Sequence, residues 1–202
     1  MKRFGVLALQ GDFREHTDTL KRLSVQTQEV RTPEDLSNLD GIILPGGEST
    51  TMAHLLQKRT STSETTSLAS ELILVIKKGL PVWGTCAGMI MLARELIQNE
   101  PVPLGLMDIT VNRNAFGRQN QSFEQDLNIP AIGVAPFKAI FIRAPTIVEM
   151  DNSVTVLARL EDSTPIAAQQ KNILVTAFHP ELTTDDRFHQ YFIEFAAKQN
   201  EL

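Results

Sequence analysis

The only cysteine of this chain lies in a pattern that favours nucleophilic chemistry. Cys86 stands between two glycines in the stretch VWGTCAGMIML (82–92), after an apolar run and before a segment with helical periodicity. Small residues at positions 84 and 88 permit the tight strand-to-helix turn that presents a nucleophile, and a helix N-terminus directed at sulfur favours the reactive thiolate. The alternative is a small apolar residue buried in the core, as lone cysteines usually are.

A histidine and a carboxylate two residues apart could complete such a site. His179 and Glu181 lie in FHPE (178–181), at the end of another apolar run. A cysteine nucleophile commonly needs a histidine to take its proton and return it to the leaving group, and a carboxylate to orient that histidine. Residues two apart in an extended segment point to the same side, so the two side chains can meet. The alternative is an exposed strand end without a role.

A glycine-rich loop, LPGGESTT (44–51), follows a further predicted strand. Consecutive glycines let backbone amides face a ligand, so this loop could supply an oxyanion-hole donor during acyl transfer. Glu48 could bind the ammonium group of a substrate. The loop can equally be a strand-to-helix turn with Ser49 or Thr50 as the N-cap, and both interpretations can hold together.

Other charged and titratable residues carry weaker signals. Arg113 and Arg143 each follow a predicted strand and could bind a carboxylate through the planar guanidinium group, although surface salt bridges are the ordinary alternative. His16, His54 and His189 fall in predicted helices without ligand spacing or neighbouring cysteines. We therefore interpret these histidines as structural or surface residues and predict no metal site.

The elements that must position these residues alternate between short apolar runs and amphipathic segments. Runs closed by Gly or Pro predict buried strands at residues 4–9, 41–44 and 80–83. Apolar residues near the 3.6-residue period predict helices at 12–24, 50–57, 67–78 and 87–98. This alternation predicts an α/β fold, with a parallel sheet covered by helices on both faces. All three candidate loops then lie at the carboxyl ends of strands, where open α/β sheets bind ligands.

The second half of the chain changes character. Closely spaced strand patterns at 108–112, 139–142, 154–160, 166–170 and 173–178 predict an antiparallel or mixed extension of the sheet. A final helix is predicted over 183–198, with Thr183 or Thr184 as its N-cap and acidic residues in its first turn. The Ser/Thr-rich segment 58–70 predicts a solvated loop. Because no linker or repeat is evident, we predict a single domain over 1–202.

Composition excludes several classes of protein. Of the 202 residues, 42% are hydrophobic and 21% charged, which is typical of soluble globular proteins, and no run approaches the about 18 apolar residues of a spanning helix. A formal net charge of -5 without a dense Lys/Arg cluster argues against nucleic-acid binding. The N-terminal apolar run, 6–9, is too short for a secretion signal, and a lone cysteine fits a reducing cytosol. We expect a cytoplasmic protein that binds neither nucleic acid nor membrane.

Together the motifs resemble a known family. GTCAG (84–88) with HPE (179–181) is similar to the triad-type class I glutamine amidotransferase domains. Further stretches narrow the resemblance to the glutaminase subunits of pyridoxal 5′-phosphate synthase, the PdxT/Sno family. They are GVLALQGDFREH (5–16), ILPGGESTTM (43–52), GTCAGMIMLA (84–93), RNAFGRQNQSFE (113–124), IFIRAP (140–145) and FHPELTTDDRFHQYF (178–192). The resemblance implies a three-layer, flavodoxin-like class I glutamine amidotransferase fold.

The resemblance also implies a role for each motif. Cys86 would be the nucleophile, His179 the general base and acid, and Glu181 the orienting carboxylate. Backbone amides at Gly47 and Ala87 would form the oxyanion hole. The positions implied to bind glutamine are Gly47, Glu48, Ser49, Arg113, Ile142 and Arg143.

The implied reaction is hydrolysis of L-glutamine to L-glutamate and ammonia through a Cys86 thioester, without a cofactor. The implied partner is a (β/α)₈-barrel synthase subunit in a large ring-shaped hetero-oligomer, which uses the ammonia with a pentose phosphate and a triose phosphate to make the vitamin B6 coenzyme. Segment 57–79 looks longer than the usual connection in this family. Two other hypotheses stay open: a thiol enzyme with a different partner or substrate, and a non-catalytic binding subunit.

Overall fold

Short buried strands form the centre of the molecule in a computed structural model that describes residues 2–58, 67–113 and 122–200. The strands of these residues are β1 (Arg3–Leu7), β2 (Gln26–Val30), β3 (Gly41–Leu44), β4 (Val82–Thr85), β5 (Ala93–Leu96), β6 (Met107–Asn112), β7 (Ser122–Leu127), β8 (Phe137–Ile142), β9 (Thr146–Met150), β10 (Thr155–Arg159), β11 (Pro165–Gln170) and β12 (Ile173–Thr176). The α-helices are α1 (Phe13–Arg22), α2 (Ser49–Gln57), α3 (Leu68–Lys77), α4 (Ala87–Leu92) and α5 (Arg187–Gln199).

Seven of these strands form one sheet in the order β10-β11-β12-β4-β3-β1-β2. The five from β12 to β2 are parallel to one another, and β11 and β10 add an antiparallel edge. When these five parallel strands are renumbered 1 to 5 along the chain, their order in the sheet is 2-1-3-4-5, as in flavodoxin-like folds. The prediction of a mostly parallel α/β sheet with a mixed extension is therefore confirmed.

The strand order also places the helices. The crossover from β1 through α1 to β2 runs toward one edge, whereas the crossover from β3 through α2 and α3 to β4 runs toward the other. Because such crossovers are right-handed, α1 covers one face and α2 and α3 cover the opposite face. The ring of Trp83 on β4 contacts His16 of α1 and Phe188 of α5, so α5 shares the face of α1. The result is the expected three-layer arrangement.

Several predicted boundaries in the first half are wrong: β1 ends at Leu7 and α1 at Arg22, each two residues before the predicted end, and two further differences have a clear cause. The helix predicted over 87–98 ends at Leu92 and the chain continues as β5, because the segment 104–106 takes the carbonyl groups that a longer helix would use. Leu104 N–H donates to Met91 O at 2.7 Å, and Leu106 N–H donates to Leu92 O at 3.1 Å. The strand predicted at 80–83 lies two residues later, where its backbone pairs with β12.

Strand patterns at 108–112 and 139–142 were expected in the extension of the sheet, which is wrong. They belong to a three-stranded sheet, β5-β6-β9, and a two-stranded sheet, β7-β8. Four strands were not predicted, and polar or exposed residues occur in each of them: β2, β5, β7 and β9. A one-sided or edge strand needs few apolar residues, so its sequence signal is weak.

The final helix begins at Arg187 with Asp186 as its N-cap, so neither Thr183 nor Thr184 caps it. A 3₁₀ turn over Pro180–Leu182 precedes it, and the Thr183 hydroxyl accepts the Asp185 N–H at 3.2 Å within the following turn. The predicted loop 58–70 lies largely outside the described residues. Its last residues are helical, because α3 begins at Leu68 with Ser67 as the N-cap. No helix in the described ranges is long and apolar enough to cross a membrane.

Candidate active site

The Cys86 turn is held by close backbone contacts. Cys86 has a φ of 46°, which non-glycine residues rarely adopt, and its N–H donates to Thr176 O of the neighbouring strand at 2.8 Å. A Cβ atom at Gly88 would lie 2.0 Å from Leu44 O, and one at Gly84 would lie 2.5 Å from the Gly88 carbonyl carbon. Both glycines are therefore required by the close approach of β3, β4 and α4.

His179 and Glu181 meet as the sequence predicts, although by a different geometry. The Nδ1 atom of His179 lies 2.7 Å from Oε1 of Glu181. An extended segment was expected to bring them together, but Glu181 belongs to the 3₁₀ turn, which folds its side chain back onto the imidazole. His179 N–H donates to Ile140 O at 2.9 Å, so β8 fixes the backbone at this point.

His179 and Glu181 stabilise each other's charged form through their hydrogen bond and their opposite charges. Burial alone would lower the pKa of His179, but hydrogen bonds with the Asp12, Cys86 and Glu181 side chains raise it to about 12. The Oδ2 atom of Asp12 lies 3.3 Å from the same Nδ1 atom. Burial raises the pKa of Glu181 above its usual value, and the hydrogen bond with His179 offsets only part of that rise. The geometry therefore favours a protonated imidazole beside the Cys86 side chain at neutral pH.

The glycine-rich loop packs directly against this histidine. A Cβ atom at Gly46 would lie 2.3 Å from Cε1 of His179, so only glycine leaves room for the imidazole. Gly46 O accepts the Asp12 N–H at 3.2 Å, which fixes the orientation of the peptide group that carries the Gly47 N–H. Gly47 has a φ of 146°, and a side chain there would collide with Gln10.

Glu48 caps α2, so the expectation that Ser49 or Thr50 is the N-cap is wrong. Its carboxylate accepts the N–H groups of Thr50 at 2.9 Å and Thr51 at 2.6 Å. Burial opposes the ionisation of Glu48, but these bonds and the Thr51 hydroxyl lower its pKa to about 2. A carboxylate is thus held at the cavity wall, which is compatible with binding an ammonium group.

The two arginines differ in how they are held. Arg113 donates from Nη1 to Glu100 O at 2.5 Å and lies 3.5 Å from Glu48, while its buried Nε has no hydrogen-bond partner among the described residues. Arg143 follows β8, is exposed, and has a φ of 45°. The carbonyl of the preceding residue, Ile142, lies 3.9 Å from the Cys86 sulfur. Residues 114–118 of the Arg113 motif lie outside the described residues.

One cavity of about 500 Å³ joins these groups, a size suited to a small molecule. Every predicted site residue lines it except Glu181, which lies behind His179, and Ala87. The lining residues are Asp12, Gly47, Glu48, Ser49, Cys86, Ile90, Arg113, Ile142, Arg143, His179 and Leu182.

The sequence interpretation missed three residues that line the cavity: Asp12, Ile90 and Leu182. Nothing in the sequence marks Asp12 except its position after a predicted strand. In the structure its carboxylate contacts His179 from the connection between β1 and α1. Its ligand atom and those of His179 and Glu181 lie within 4.8 Å of one another, as a metal site would require. Their hydrogen bonds account for this grouping without an ion, and the absence of a metal stays a prediction.

The interpretation of the remaining histidines needs correction. His16 and His189 are fully buried, so the surface alternative is wrong for both, whereas His54 is exposed. His16 also lies within 3.4 Å of Glu181.

Comparisons with known proteins find relatives that match nearly the whole chain. The model of the SNO glutamine amidotransferase family matches residues 6–198. The chain is 54% identical over 196 residues to pyridoxal 5′-phosphate synthase subunit PdxT of Carboxydothermus hydrogenoformans, covering 97% of this chain and 98% of the relative. It is 48% identical to the PdxT subunit of Dehalococcoides mccartyi, covering 96% and 97%. A crystal structure of a glutamine amidotransferase superposes with a TM-score of 0.87 at 45% identity, covering 96% of this chain and 98% of that one.

Proposed function

The chain belongs to the SNO glutamine amidotransferase family, and we propose that it is the glutaminase subunit of a pyridoxal 5′-phosphate synthase, which hydrolyses L-glutamine to L-glutamate and ammonia. The observation that carries the proposal is that His179 contacts both Cys86 and Glu181 beside a cavity whose wall also presents Glu48 and Arg113. The names of relatives that match over nearly the whole chain support the same conclusion.

Charged groups of the cavity wall bind the two ends of the amino-acid backbone of glutamine. Glu48, whose pKa of about 2 keeps it ionised, faces the substrate ammonium group. Arg113 and Arg143 provide guanidinium groups for the substrate carboxylate. Gly47, Ser49 and Ile142 line the space between them. The carboxamide of glutamine then points toward Cys86.

Catalysis begins with attack of the Cys86 thiolate on the carboxamide carbon. A C–S bond forms, and the carbonyl electron pair moves onto oxygen, where the backbone N–H groups of Gly47 and Ala87 stabilise the oxyanion. The Ala87 N–H lies in the first turn of a helix and has no intrahelical partner. His179 gives its proton to the amide nitrogen, the C–N bond breaks, and ammonia leaves a thioester on Cys86.

Hydrolysis then restores the enzyme. His179, now neutral, takes a proton from water, and the resulting hydroxide attacks the thioester carbon. The C–S bond breaks, glutamate leaves, and the thiolate faces a protonated His179 again. Glu181 keeps the imidazole oriented through the bond of 2.7 Å to Nδ1. The ammonia is passed to a (β/α)₈-barrel synthase subunit in a ring-shaped hetero-oligomer in the cytoplasm, and the chain acts there as a single domain over 1–202.

Glutamate release from glutamine, measured with and without the synthase subunit, tests this function. The wild-type complex releases glutamate, and Cys86→Ala in the same complex releases none above background. Circular dichroism of the variant checks that it is folded. A Cys86→Ala complex with the wild-type rate would refute the mechanism. Preferential hydrolysis of esters, or recovery of an unrelated partner, would support a thiol enzyme of another function.

A further inference from the structure

Two histidines that this mechanism does not use lie behind Glu181. His16 on α1 and His189 on α5 are both 0% exposed, and each packs its ring edge-to-face against Trp83. A buried imidazole has to satisfy two ring nitrogens, so it costs free energy unless both find partners. The contacts of this pair lead to the candidate active site.

Distances join the two histidines to the orienting carboxylate. Nδ1 of His16 lies 2.9 Å from Nε2 of His189. On its other side, Nε2 of His16 lies 3.4 Å from Oε2 of Glu181 and 3.2 Å from the Thr85 hydroxyl oxygen. Within the described residues, neither Glu181 Oε2 nor His189 Nδ1 has a hydrogen-bond partner. Glu181 thus uses one oxygen on His179 and directs the other toward His16.

The His189 contact and the two acceptors near Nε2 favour one placement of the protons. If His16 carries its proton on Nε2, that proton faces the Thr85 hydroxyl oxygen at 3.2 Å and Glu181 Oε2 at 3.4 Å, so it can be shared with Glu181. The bare Nδ1 of His16 then accepts the Nε2 proton of His189. The atom left without a partner is then an unprotonated nitrogen, His189 Nδ1. The opposite placement would direct the lone pair of His16 at the carboxylate and leave a buried N–H of His189 unpaired, which is rarer and more costly.

Both rings are neutral in the folded chain. Burial, followed by repulsion from His189 and His179, holds the pKa of His16 well below its usual value. Burial lowers the pKa of His189 to about 3. The charged groups that act on this cluster are His179 on the cavity side, and Asp186 and Arg22, which pair with each other, near His189. Neutral His16 can therefore donate a hydrogen bond to Glu181 without adding a second positive charge beside the carboxylate that pairs with His179.

We propose that His16 is a positioning residue that donates from Nε2 to Glu181 Oε2 and so aims the carboxylate at His179, while His189 fixes the tautomer of His16. The proposal rests on the proposed function for the role of Glu181. His16 itself touches neither the substrate space nor Cys86, and it acts through two intervening side chains.

Two substitutions at His16 separate this role from mere core packing. The amide nitrogen of glutamine can replace Nε2, so His16→Gln keeps a donor for Glu181. Asparagine reaches only the Nδ1 position, so His16→Asn loses that donor. The activity assay is glutamate release in the complex with the synthase subunit, and His54→Gln is the control for replacing an exposed histidine.

We expect kcat of His16→Asn to fall roughly 10- to 100-fold, because Glu181 loses a buried hydrogen bond, with KM for glutamine unchanged. His16→Gln should recover most of that loss. Imidazole ¹⁵N NMR of the full chain, which needs no catalysis, should show neutral Nε2–H tautomers at His16 and His189. It should also show a smaller protonated fraction of His179 at alkaline pH in His16→Asn than in His16→Gln.

The proposal is overturned if folded His16→Asn keeps the wild-type kcat and His179 signals, or if both variants lose the same activity and shift His179 equally. It is also overturned if the NMR spectrum places the His16 proton on Nδ1. Should the wild-type complex release no glutamate, the proposed function fails, while the NMR comparison still decides whether His16 controls Glu181 and His179.

Discussion

Two groups of residues at the cavity, named here the nucleophile end and the substrate end, are held by different kinds of contact. At the nucleophile end, Cys86, His179 and Glu181 are at most 5% exposed, and the backbones of Cys86 and His179 bond to β12 and β8. At the substrate end, the Glu48 side chain is 57% exposed and Arg143 is exposed. The core therefore fixes the groups proposed to react, whereas the groups proposed to bind substrate are more exposed to solvent. Changes at the first end should reduce kcat or stability, and changes at the second should raise KM.

Among the substitutions that compare the two ends, Glu181→Gln has the largest expected effect, a loss of kcat. The amide keeps the volume of the carboxylate but loses the negative charge that stabilises protonated His179. We expect kcat for glutamate release in the complex to fall roughly 10³- to 10⁴-fold with little change in KM. Glu194→Gln, at an exposed carboxylate on α5, is the control. A Glu181→Gln variant that lost affinity for glutamine and kept kcat would remove the distinction between the two ends.

The next effect concerns stability at the nucleophile end. A methyl group at position 88 would lie 2.0 Å from a backbone oxygen, which no side-chain movement can relieve. We expect Gly88→Ala to lower the free energy of unfolding by about 3 kcal/mol, measured by urea denaturation. Gly105→Asn is the control, because Gly105 has a φ of 67°, which asparagine tolerates, and open space around it. Equal losses in the two variants would show that the turn is not tightly packed.

A smaller effect is expected from Arg113→Lys at the substrate end. Lysine keeps the charge but not the planar fork, so we expect KM for glutamine to rise about tenfold with kcat retained. Steady-state glutamate release checks this, and Arg159→Lys, at an exposed residue of the edge strand β10, is the control. A fall in kcat with unchanged KM would place Arg113 with the reacting groups instead.

The smallest effect is that of Glu48→Gln on stability. The folded pKa of about 2 lies below the usual 4.5, so the carboxylate stabilises the fold above pH 4.5 and loses this contribution as the pH falls toward 2. We expect a loss of less than about 1 kcal/mol at neutral pH, since the side chain is largely exposed. Urea denaturation at several pH values should show the two proteins converging in acid; a constant difference would contradict the cap.

Much of this site could be predicted because each motif combines a backbone requirement with a chemical one. Gly84 and Gly88 signal a close approach around a reactive side chain, and His179 with Glu181 signals an oriented base. The buried parallel strands were equally readable, since β3, β4 and β12 are continuous apolar runs. Local sequence is enough to predict a site when the backbone geometry and the chemistry of that site depend on the same few residues.

The remaining features depend on contacts between distant segments. Asp12 and His16 reach the proposed triad because β1 lies beside β3 in the sheet and α1 packs over Trp83 of β4. No local sequence pattern indicates these contacts. The end of α4 at Leu92 depends on hydrogen bonds from residues 104–106. Because short polar side chains are the usual caps, the sequence predicts Ser49 or Thr50 as the cap of α2. In the structure the longer Glu48 side chain accepts the N–H groups of Thr50 and Thr51.

Covalent trapping tests the central claim, that Cys86 is the nucleophile for glutamine, most directly. The complex with the synthase subunit is treated with an electrophilic glutamine analogue and analysed by intact mass and peptide mapping. We predict one adduct per chain, located on Cys86, absent from Cys86→Ala, and suppressed by excess glutamine. An adduct on another residue, or glutamine hydrolysis by a complex whose Cys86 never reacts, would contradict the account.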